Sequence, residues 1–441
     1  MTNTRKAGIL LPIFSLPSKY GVGSLGHCAY EFVDFLVRTG QSVWQILPIT
    51  ATAAIDEYSP YKSVCAFSGN YDLIDIDMLV GKGLVDWNFI NSVYQGYYQA
   101  DPRYADYAKA RSLKMIIFRE AFSNFDPKHD QAYKDFKKEN AFWLDDFAKY
   151  MALKEANDEK PYWEWPNPAN KPNPDTIDFH CFLQYLFFDQ WHQLKKYAND
   201  RGIEIFGDMP IYVSRDSSDF YYNRDMFLTD EKGEPHQISG VPPDEFSATG
   251  QVWGNPLYDW DYLKKHKFDW WVKRIQKSLE LYDILRIDHF RGFESFYSID
   301  PVTRDAMNGR WIKAPGKELF DQVKKEIKNA NIVAEDLGII TDEVRDLLDY
   351  TGFPGMKIVQ FGFSSDADNL NLPHNYPKNS VAYTGTHDNT SLAEWLKTCS
   401  PSEFSYAEAY LRMSAYDRYT ECLIRAVMMT NSYMAIIPLQ D

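Results

Sequence analysis

The chain has 441 residues, of which 45% are hydrophobic and 25% charged. This composition excludes a disordered or fibrous protein, and the length predicts either one large barrel-like domain with insertions or two to three domains. The formal net charge of −15 argues against binding to nucleic acid or to an anionic membrane surface.

The cysteines and the N-terminus bear on the compartment. Five scattered cysteines without Cys-x-x-Cys spacing predict neither a zinc site nor a disulfide framework, and they favour a reducing environment. The apolar run at 8–14 is short and contains Pro12, so it predicts neither a signal peptide nor a membrane span. We therefore expect a soluble cytoplasmic protein.

Short apolar segments typical of buried strands recur along the chain at 7–14, 42–49, 203–209, 283–290, 331–337, 356–363, 380–384 and 432–439. Helical patterns separate most of the later ones, for example at 262–281 and 316–328. Strands that alternate with helices favour a parallel sheet, and eight of them indicate an α/β protein with a closed (β/α)₈ TIM-type barrel.

Two intervals are too long to be simple crossovers between strands. We assign residues 1–69 to the first barrel strands, 70–200 to a mainly helical insertion and 201–209 to a barrel strand. Residues 210–258 are rich in Gly, Pro and Asp and predict a loop-rich insertion, and 259–441 form the remainder of the barrel.

The segment 285–291, Leu-Arg-Ile-Asp-His-Phe-Arg, places charge in an otherwise apolar strand. Strand alternation puts Arg286 and Asp288 on the same face. Because unpaired buried charge is costly, these two side chains either form an internal ion pair that serves stability or belong to a functional site.

Carboxylates follow several predicted strands directly: Asp208, Asp288, Glu335 and Asp388. In a (β/α)₈ barrel these strand ends meet at one rim, where active sites lie. Glycoside cleavage needs paired carboxylates of different pKa. We expect Arg286 to lower the pKa of Asp288, the nucleophile, and negative neighbours to raise the pKa of Glu335, the general acid and base.

Some neighbouring residues have simpler explanations. We interpret Asp336 and Asp300 as helix N-caps or solvent-exposed carboxylates, and His27 as structural. His289 and His387 adjoin carboxylates at strand ends, so a contact with substrate hydroxyls and a structural role are both open.

A metal centre is the rival chemistry for this cluster. However, the sequence contains no His-x-x-x-His spacing or dense ligand set, and the cation of Arg286 would oppose a metal ion. We expect no metal and no organic cofactor.

Segments 285–291, 333–338 and 386–389 together resemble the conserved regions of the α-amylase clan of glycoside hydrolases. Segments 8–12, 59–61, 207–213 and 242–258 narrow the resemblance to the 4-α-glucanotransferase (amylomaltase, disproportionating enzyme) family. The likeness spans nearly the whole chain.

The resemblance implies a transglycosylase that moves α-1,4-glucan segments to the 4-hydroxyl of a glucan or glucose by a retaining double displacement. It makes Asp288 the nucleophile, Glu335 the acid and base, and Asp388 the transition-state stabiliser. It implies two groups of substrate contacts: Tyr61, Asp208, Arg286, His289 and His387 around the attacked glucose, and Asp244, Phe246, Gln251 and Trp253 on a loop over the active site. Maltooligosaccharides and glucose are the expected partners.

Alternatives remain open at this stage. An α-1,4-glucan hydrolase would use the same carboxylates with water as acceptor. A catalytically silent glucan-binding protein would need only the aromatic content of 16%, and a scaffold protein would leave the carboxylates unexplained.

The chain departs from the family pattern at two places. It has Asp56-Glu-Tyr-Ser-Pro-Tyr where the family has Gly-Asp-Ser-Pro-Tyr, and this affects the expected contacts on the acceptor side. It also ends at Asp441, at the predicted eighth strand, so we expect a barrel without its final helix.

Overall fold

A computed structural model describes residues 5–97, 101, 103–244 and 247–441. The strands are β1 (Lys6–Leu10), β2 (Val43–Gln45), β3 (Glu204–Met209), β4 (Ile238–Val241), β5 (Gln251–Pro256), β6 (Ile284–Ile287), β7 (Ser295–Ile299), β8 (Arg310–Lys313), β9 (Ile332–Ala334), β10 (Gly355–Ile358), β11 (Ser380–Tyr383) and β12 (Met434–Pro438).

The α-helices are α1 (His27–Arg38), α2 (Asp77–Gly81), α3 (Trp87–Val93), α4 (Tyr107–Ser123), α5 (Gln131–Glu139), α6 (Ala141–Ala156), α7 (Pro174–Asn199), α8 (Ser218–Tyr222), α9 (Trp260–Lys265), α10 (Asp269–Leu281), α11 (Gly316–Glu326), α12 (Asp342–Thr351), α13 (Leu392–Thr398), α14 (Pro401–Leu411) and α15 (Tyr419–Met428). Within the described ranges, no helix is both long and apolar enough to cross a bilayer.

Eight strands form one parallel sheet in the order β10-β11-β12-β1-β2-β3-β6-β9, which confirms the predicted TIM-type barrel. Each of the eight overlaps one of the predicted segments. Their inward apolar side chains fill the barrel as a separate core cluster that includes Leu10, Phe206, Val333 and Ile436. The barrel interior is therefore solid, and only its ends can hold a ligand.

The seam between β9 and β10 is closed mainly by a side chain. The Ala334 N–H donates to the Pro354 carbonyl at 2.9 Å, and the Asp336 carboxylate accepts the Met356 N–H at 2.6 Å. Asp336 also lies 3.3 Å from the Lys357 ammonium, and only 8% of its side chain is exposed. The expectation that Asp336 is a helix N-cap or solvent-exposed is thus wrong, because the next strand approaches close enough to use the carboxylate.

The segment 70–200, predicted as a mainly helical insertion, contains α2 to α7, and its boundaries stay a prediction. The long helix α7 anchors the segment that follows β2. The buried Gln184 amide donates to and accepts from the Gly69 backbone at 2.9 and 2.7 Å. Six residues later, Gln190 repeats this pair of bonds with Asp75 at 2.9 and 2.7 Å. These amides hold the loop after β2 against α7.

A second sheet, with antiparallel strands in the order β5-β4-β7-β8, extends beyond the barrel. The sequence analysis predicted no strands here. β4 and β5 are short, include Gly240 and Pro256, and lack a clear alternation of buried and exposed residues. Such strands give little periodic signal, since the sheet is stabilised by pairing with distant segments.

Gly207 in β3 provides a test of how tightly the barrel packs. A Cβ atom at this position would lie 2.1 Å from the ring of Tyr282, which is buried. We expect Gly207→Ala to lower the free energy of unfolding by about 1–3 kcal/mol through overpacking. The measurement is urea-induced unfolding followed by circular dichroism.

Gly81 provides the matched control. It lies in α2 with open space around its Cβ position, so Gly81→Ala should raise the free energy of unfolding by about 0.5–1 kcal/mol. Equal effects of the two substitutions would contradict the packing described for β3.

Candidate active site

The carboxyl ends of β3, β6, β9 and β11 bring the predicted catalytic residues to one rim. Asp208 lies within β3, and Asp288 directly follows β6. Glu335 directly follows β9, and Asp388 lies in the loop after β11. Parallel strands of a barrel all point their carboxyl ends to one side, so four distant segments meet in one place.

Arg286 is the buried centre of the site. One guanidinium nitrogen donates to both carboxylate oxygens of Asp208 at 2.8 and 2.7 Å. The other lies 2.8 Å from Asp288. Arg286 and Asp208 are each 2% exposed, whereas 26% of the Asp288 side chain reaches solvent. The guanidinium is thus fixed from below by Asp208 and holds Asp288 at the surface of the site.

A second chain of hydrogen bonds joins the loops after β2 and β11. The Tyr61 hydroxyl contacts Asp208 at 2.7 Å and His387 Nε2 at 2.6 Å. The Tyr61 and His387 rings stack with centroids 5.3 Å apart. His387 Nε2 also lies 3.2 Å from Asp388, whose side chain is 72% exposed. Asp388 can therefore approach a ligand while its neighbours stay fixed.

Glu335 is held differently from the other carboxylates. Its two oxygens accept the His289 N–H at 2.7 Å and the Leu337 N–H at 2.8 Å. Within the part of the chain that the structure describes, no Lys or Arg forms an ion pair with it. The His289 backbone, which has φ 50°, positions Glu335 next to Asp288.

These surroundings give Asp288 and Glu335 different pKa values. Burial raises the pKa of Glu335 to about 8, and the charge of Asp288 adds to the rise. Burial also raises the pKa of Asp288 to about 6, although Arg286 opposes it. The expectation of a net lowered pKa for Asp288 is wrong because burial outweighs the cation, but the predicted order of the two groups is confirmed.

His289 and Trp253 form another wall of the cleft into which these carboxyl groups point. Their rings meet edge to face with centroids 4.8 Å apart. Burial lowers the pKa of His289 to about 3, so its imidazole is neutral. Its Nε2 atom is buried without a hydrogen-bond partner among the described residues, although the residue lines the cleft.

The cleft between these walls has a volume of about 650 Å³. Asp244 and Gln251 line it as well, and Gln251 accepts the Trp253 indole N–H at 3.1 Å. Asp208 lies beneath the cleft rather than in its lining. Phe246 lies outside the described residues.

Several lining residues were not predicted, among them Arg291 and Trp311. Arg291 places its guanidinium 3.6 Å from the ring centre of Trp311, and both border the cleft. Arg291 belongs to the same short segment as Asp288, so its position two residues beyond His289 could have identified it. Trp311 lies in β8 of the second sheet, and the sequence held no signal for its placement.

Residues 56–61, which follow β2 and differ from the family pattern, are held by close packing. Glu57 and Tyr58 both have positive φ, at 54° and 58°. The Tyr58 ring stacks on Tyr107 with centroids 5.2 Å apart, and the Arg111 guanidinium lies 4.6 Å from its centre. The unusual residues are therefore held by packing, and they leave Tyr61 in contact with the catalytic rim.

The site offers no evident metal centre. Among the described residues, no group of three or more His, Cys, Asp and Glu side chains is arranged to hold a metal ion. The polar groups that converge on the cleft suit hydroxyl-bearing ligands.

Comparison with known proteins assigns the family. A family profile described as 4-alpha-glucanotransferase matches residues 11–441. The chain belongs to the 4-alpha-glucanotransferase family.

Individual relatives agree over almost the full length. The 4-alpha-glucanotransferase of Streptococcus pneumoniae is 45% identical, with 99% of this chain and 88% of the relative covered. That of Clostridium butyricum is 44% identical, with 97% and 90% covered. The amylomaltase of Streptococcus agalactiae, solved in complex with acarbose, superposes with a TM-score of 0.93 at 40% identity over 99% and 90% of the two chains. The chain is an enzyme that transfers α-1,4-glucan segments.

The pKa values of the two carboxyl groups predict how the activity depends on pH. Activity should fall below pH about 6, where Asp288 gains a proton, and above pH about 8, where Glu335 loses its proton. We expect a bell-shaped profile of kcat/KM for maltotriose with these two limbs. A profile still rising at pH 10 would contradict the arrangement, and circular dichroism at each pH controls for unfolding.

Proposed function

We propose that Asp288, Glu335 and Asp388 carry out the glucan transfer by a retaining double displacement. The observation that carries this proposal is the contrast between the two facing carboxyl groups. Asp288 is paired with the Arg286 cation, whereas Glu335 is bound by two backbone N–H groups. Near neutral pH this contrast favours an ionised nucleophile beside a protonated acid.

In the first step, an Asp288 oxygen attacks the anomeric carbon of the donor as the glycosidic C–O bond breaks. Glu335 gives its proton to the departing oxygen, and the shortened glucan leaves with a free 4-hydroxyl. The product is a glycosyl ester on Asp288. Asp388 would hold hydroxyls of the distorted sugar, which its exposed position allows.

In the second step, the Glu335 carboxylate takes the proton from the 4-hydroxyl of an acceptor glucan or glucose. That oxygen attacks the same anomeric carbon and the bond to Asp288 breaks. Two inversions leave the configuration unchanged, and both carboxyl groups return to their starting protonation.

We assign substrate contacts to two groups of residues. Tyr61, His289 and His387 would bind the glucose at the cleaved bond, with Arg286 and the buried Asp208 fixing their arrangement. Gln251 and Trp253 on β5, with Asp244 on the preceding loop, would hold the acceptor and restrict water. The family resemblance assigns Phe246 to the same group. An acceptor held in this way competes effectively with water for the glycosyl ester.

We also propose maltooligosaccharides, longer α-1,4-glucans and glucose as the physiological partners, in the cytoplasm. The net charge of −15 supports the absence of nucleic acid and membrane partners. The cysteines support a reducing compartment, since all five are free.

Maltotriose and α-maltosyl fluoride together test the roles. With maltotriose, the unaltered enzyme should release glucose and build a ladder of longer oligosaccharides, which thin-layer chromatography resolves. Shorter products alone would indicate a hydrolase and overturn the proposal.

Two variants distinguish the roles of Glu335 and Asp288. Because fluoride departs without a proton, Glu335→Gln should lose about 10³-fold of its activity on maltotriose yet still release fluoride from α-maltosyl fluoride. Asp288→Asn should lose both activities by a similar factor. Fluoride release by Asp288→Asn at the unaltered rate would remove Asp288 from the role of nucleophile.

A further inference from the structure

A second pocket lies on the outer rim of the barrel, at the same end as the active-site cleft. Helices α6, α8, α9 and α10 surround it, and its volume is about 260 Å³. Because α10 leads into β6, its first turn lies at the carboxyl end of the barrel, where the catalytic residues are. We call this cavity the rim pocket, and Phe142, Asp146, Asp219, Tyr262, Trp270 and Lys273 are among the residues lining it.

Aromatic rings give the rim pocket fixed apolar surfaces. Phe142 is 49% exposed, and Tyr262 and Trp270 are half-buried. The buried Phe67 ring meets Phe142 and Trp270 edge-on, with centroids 5.3 and 5.9 Å apart. The rings are thus held in place before any ligand arrives. Their faces suit the CH faces of sugar rings.

The polar groups between the rings favour a neutral ligand rich in hydroxyls. Asp219 is 4% exposed and accepts the Ala66 N–H at 2.7 Å. Asp146 makes neither an ion pair nor a hydrogen bond within the described part of the chain, so its oxygens can accept hydroxyl protons. The Lys273 ammonium is 2.7 Å from Asp269, and the Arg274 cation acts on Asp219. Asp146 is therefore the carboxylate without a cation of its own among the described residues. This charge excludes anions.

A chain of ring contacts connects the rim pocket with the cleft. Trp253 in the cleft packs on Tyr212 at 6.3 Å between centroids, and Tyr212 packs on Tyr258 at 6.2 Å. Tyr258 in turn packs on Trp270 at 5.7 Å. The two cavities are therefore linked by one continuous set of packed rings, and both lie at the carboxyl end of the barrel.

We propose that the rim pocket binds an α-1,4-glucan segment away from the bond being cleaved. The inference rests on the proposed function, because a polymeric substrate gains affinity from a second contact on the same protein. The volume is just below the roughly 300 Å³ at which pockets for drug-sized ligands begin, which suits one or two sugar rings. Because three successive ring contacts of 6.3, 6.2 and 5.7 Å lie between the two cavities, we expect maltotriose bound in the cleft not to reach the rim pocket.

The direct test is binding of soluble amylose in the inactive Asp288→Asn background, measured by affinity electrophoresis. Adding Phe142→Ala and Tyr262→Ala should weaken retardation by amylose about five- to tenfold through loss of ring contacts. The matched control adds Trp87→Ala and Tyr350→Ala, two aromatics about as exposed as Phe142 that line neither cavity, and should leave retardation unchanged. Equal retardation of the two proteins would overturn the proposal.

Activity provides the second arm, with Asp288 intact. Phe142→Ala/Tyr262→Ala should raise KM for amylose about fivefold while kcat/KM for maltotriose stays within about twofold of the unaltered value. A parallel loss with both substrates would mean a structural defect and would contradict the proposal. Failure of the catalytic assignment would appear as turnover by Asp288→Asn, whereas failure of the rim pocket would appear as unchanged amylose binding.

Discussion

The proposed catalytic rim depends on one buried ion pair. Arg286 is almost wholly removed from solvent, and a guanidinium in that position needs a fixed carboxylate partner because an unpaired charge there would cost several kcal/mol. Asp208 provides that partner from the neighbouring strand β3. The same cation then reaches Asp288, so the arrangement that makes the charge tolerable in the barrel also sets the position and ionisation of the proposed nucleophile.

Much of this could be predicted from the sequence. Eight apolar segments separated by helical patterns predicted the barrel, and carboxylates at strand ends predicted the rim, since barrel topology alone brings those ends together. Strand alternation also placed Arg286 and Asp288 on one face, as observed.

The features that could not be predicted depend on contacts between segments that are distant in the sequence. The short antiparallel strands of the second sheet are stabilised by pairing rather than by their own residues, so neither they nor Trp311 could be located. The Asp336 carboxylate closes the barrel seam, which its sequence neighbours do not reveal. Burial by the tertiary fold raises the pKa of Asp288, and this burial could not be predicted. Only the opposite effect of Arg286, which lowers that pKa, could be predicted from the neighbouring residues.

We propose that the charge of Arg286 keeps Asp288 ionised, and the acidic limb of the pH profile of kcat/KM measures this effect. Arg286→Met removes the charge, so the limb should move from about pH 6 to higher pH by at least about one unit. Arg286→Lys keeps the charge, so its acidic limb should lie closer to pH 6 than that of Arg286→Met. An acidic limb that stays at pH 6 in a destabilised Arg286→Met protein would show that Arg286 serves only as a structural brace.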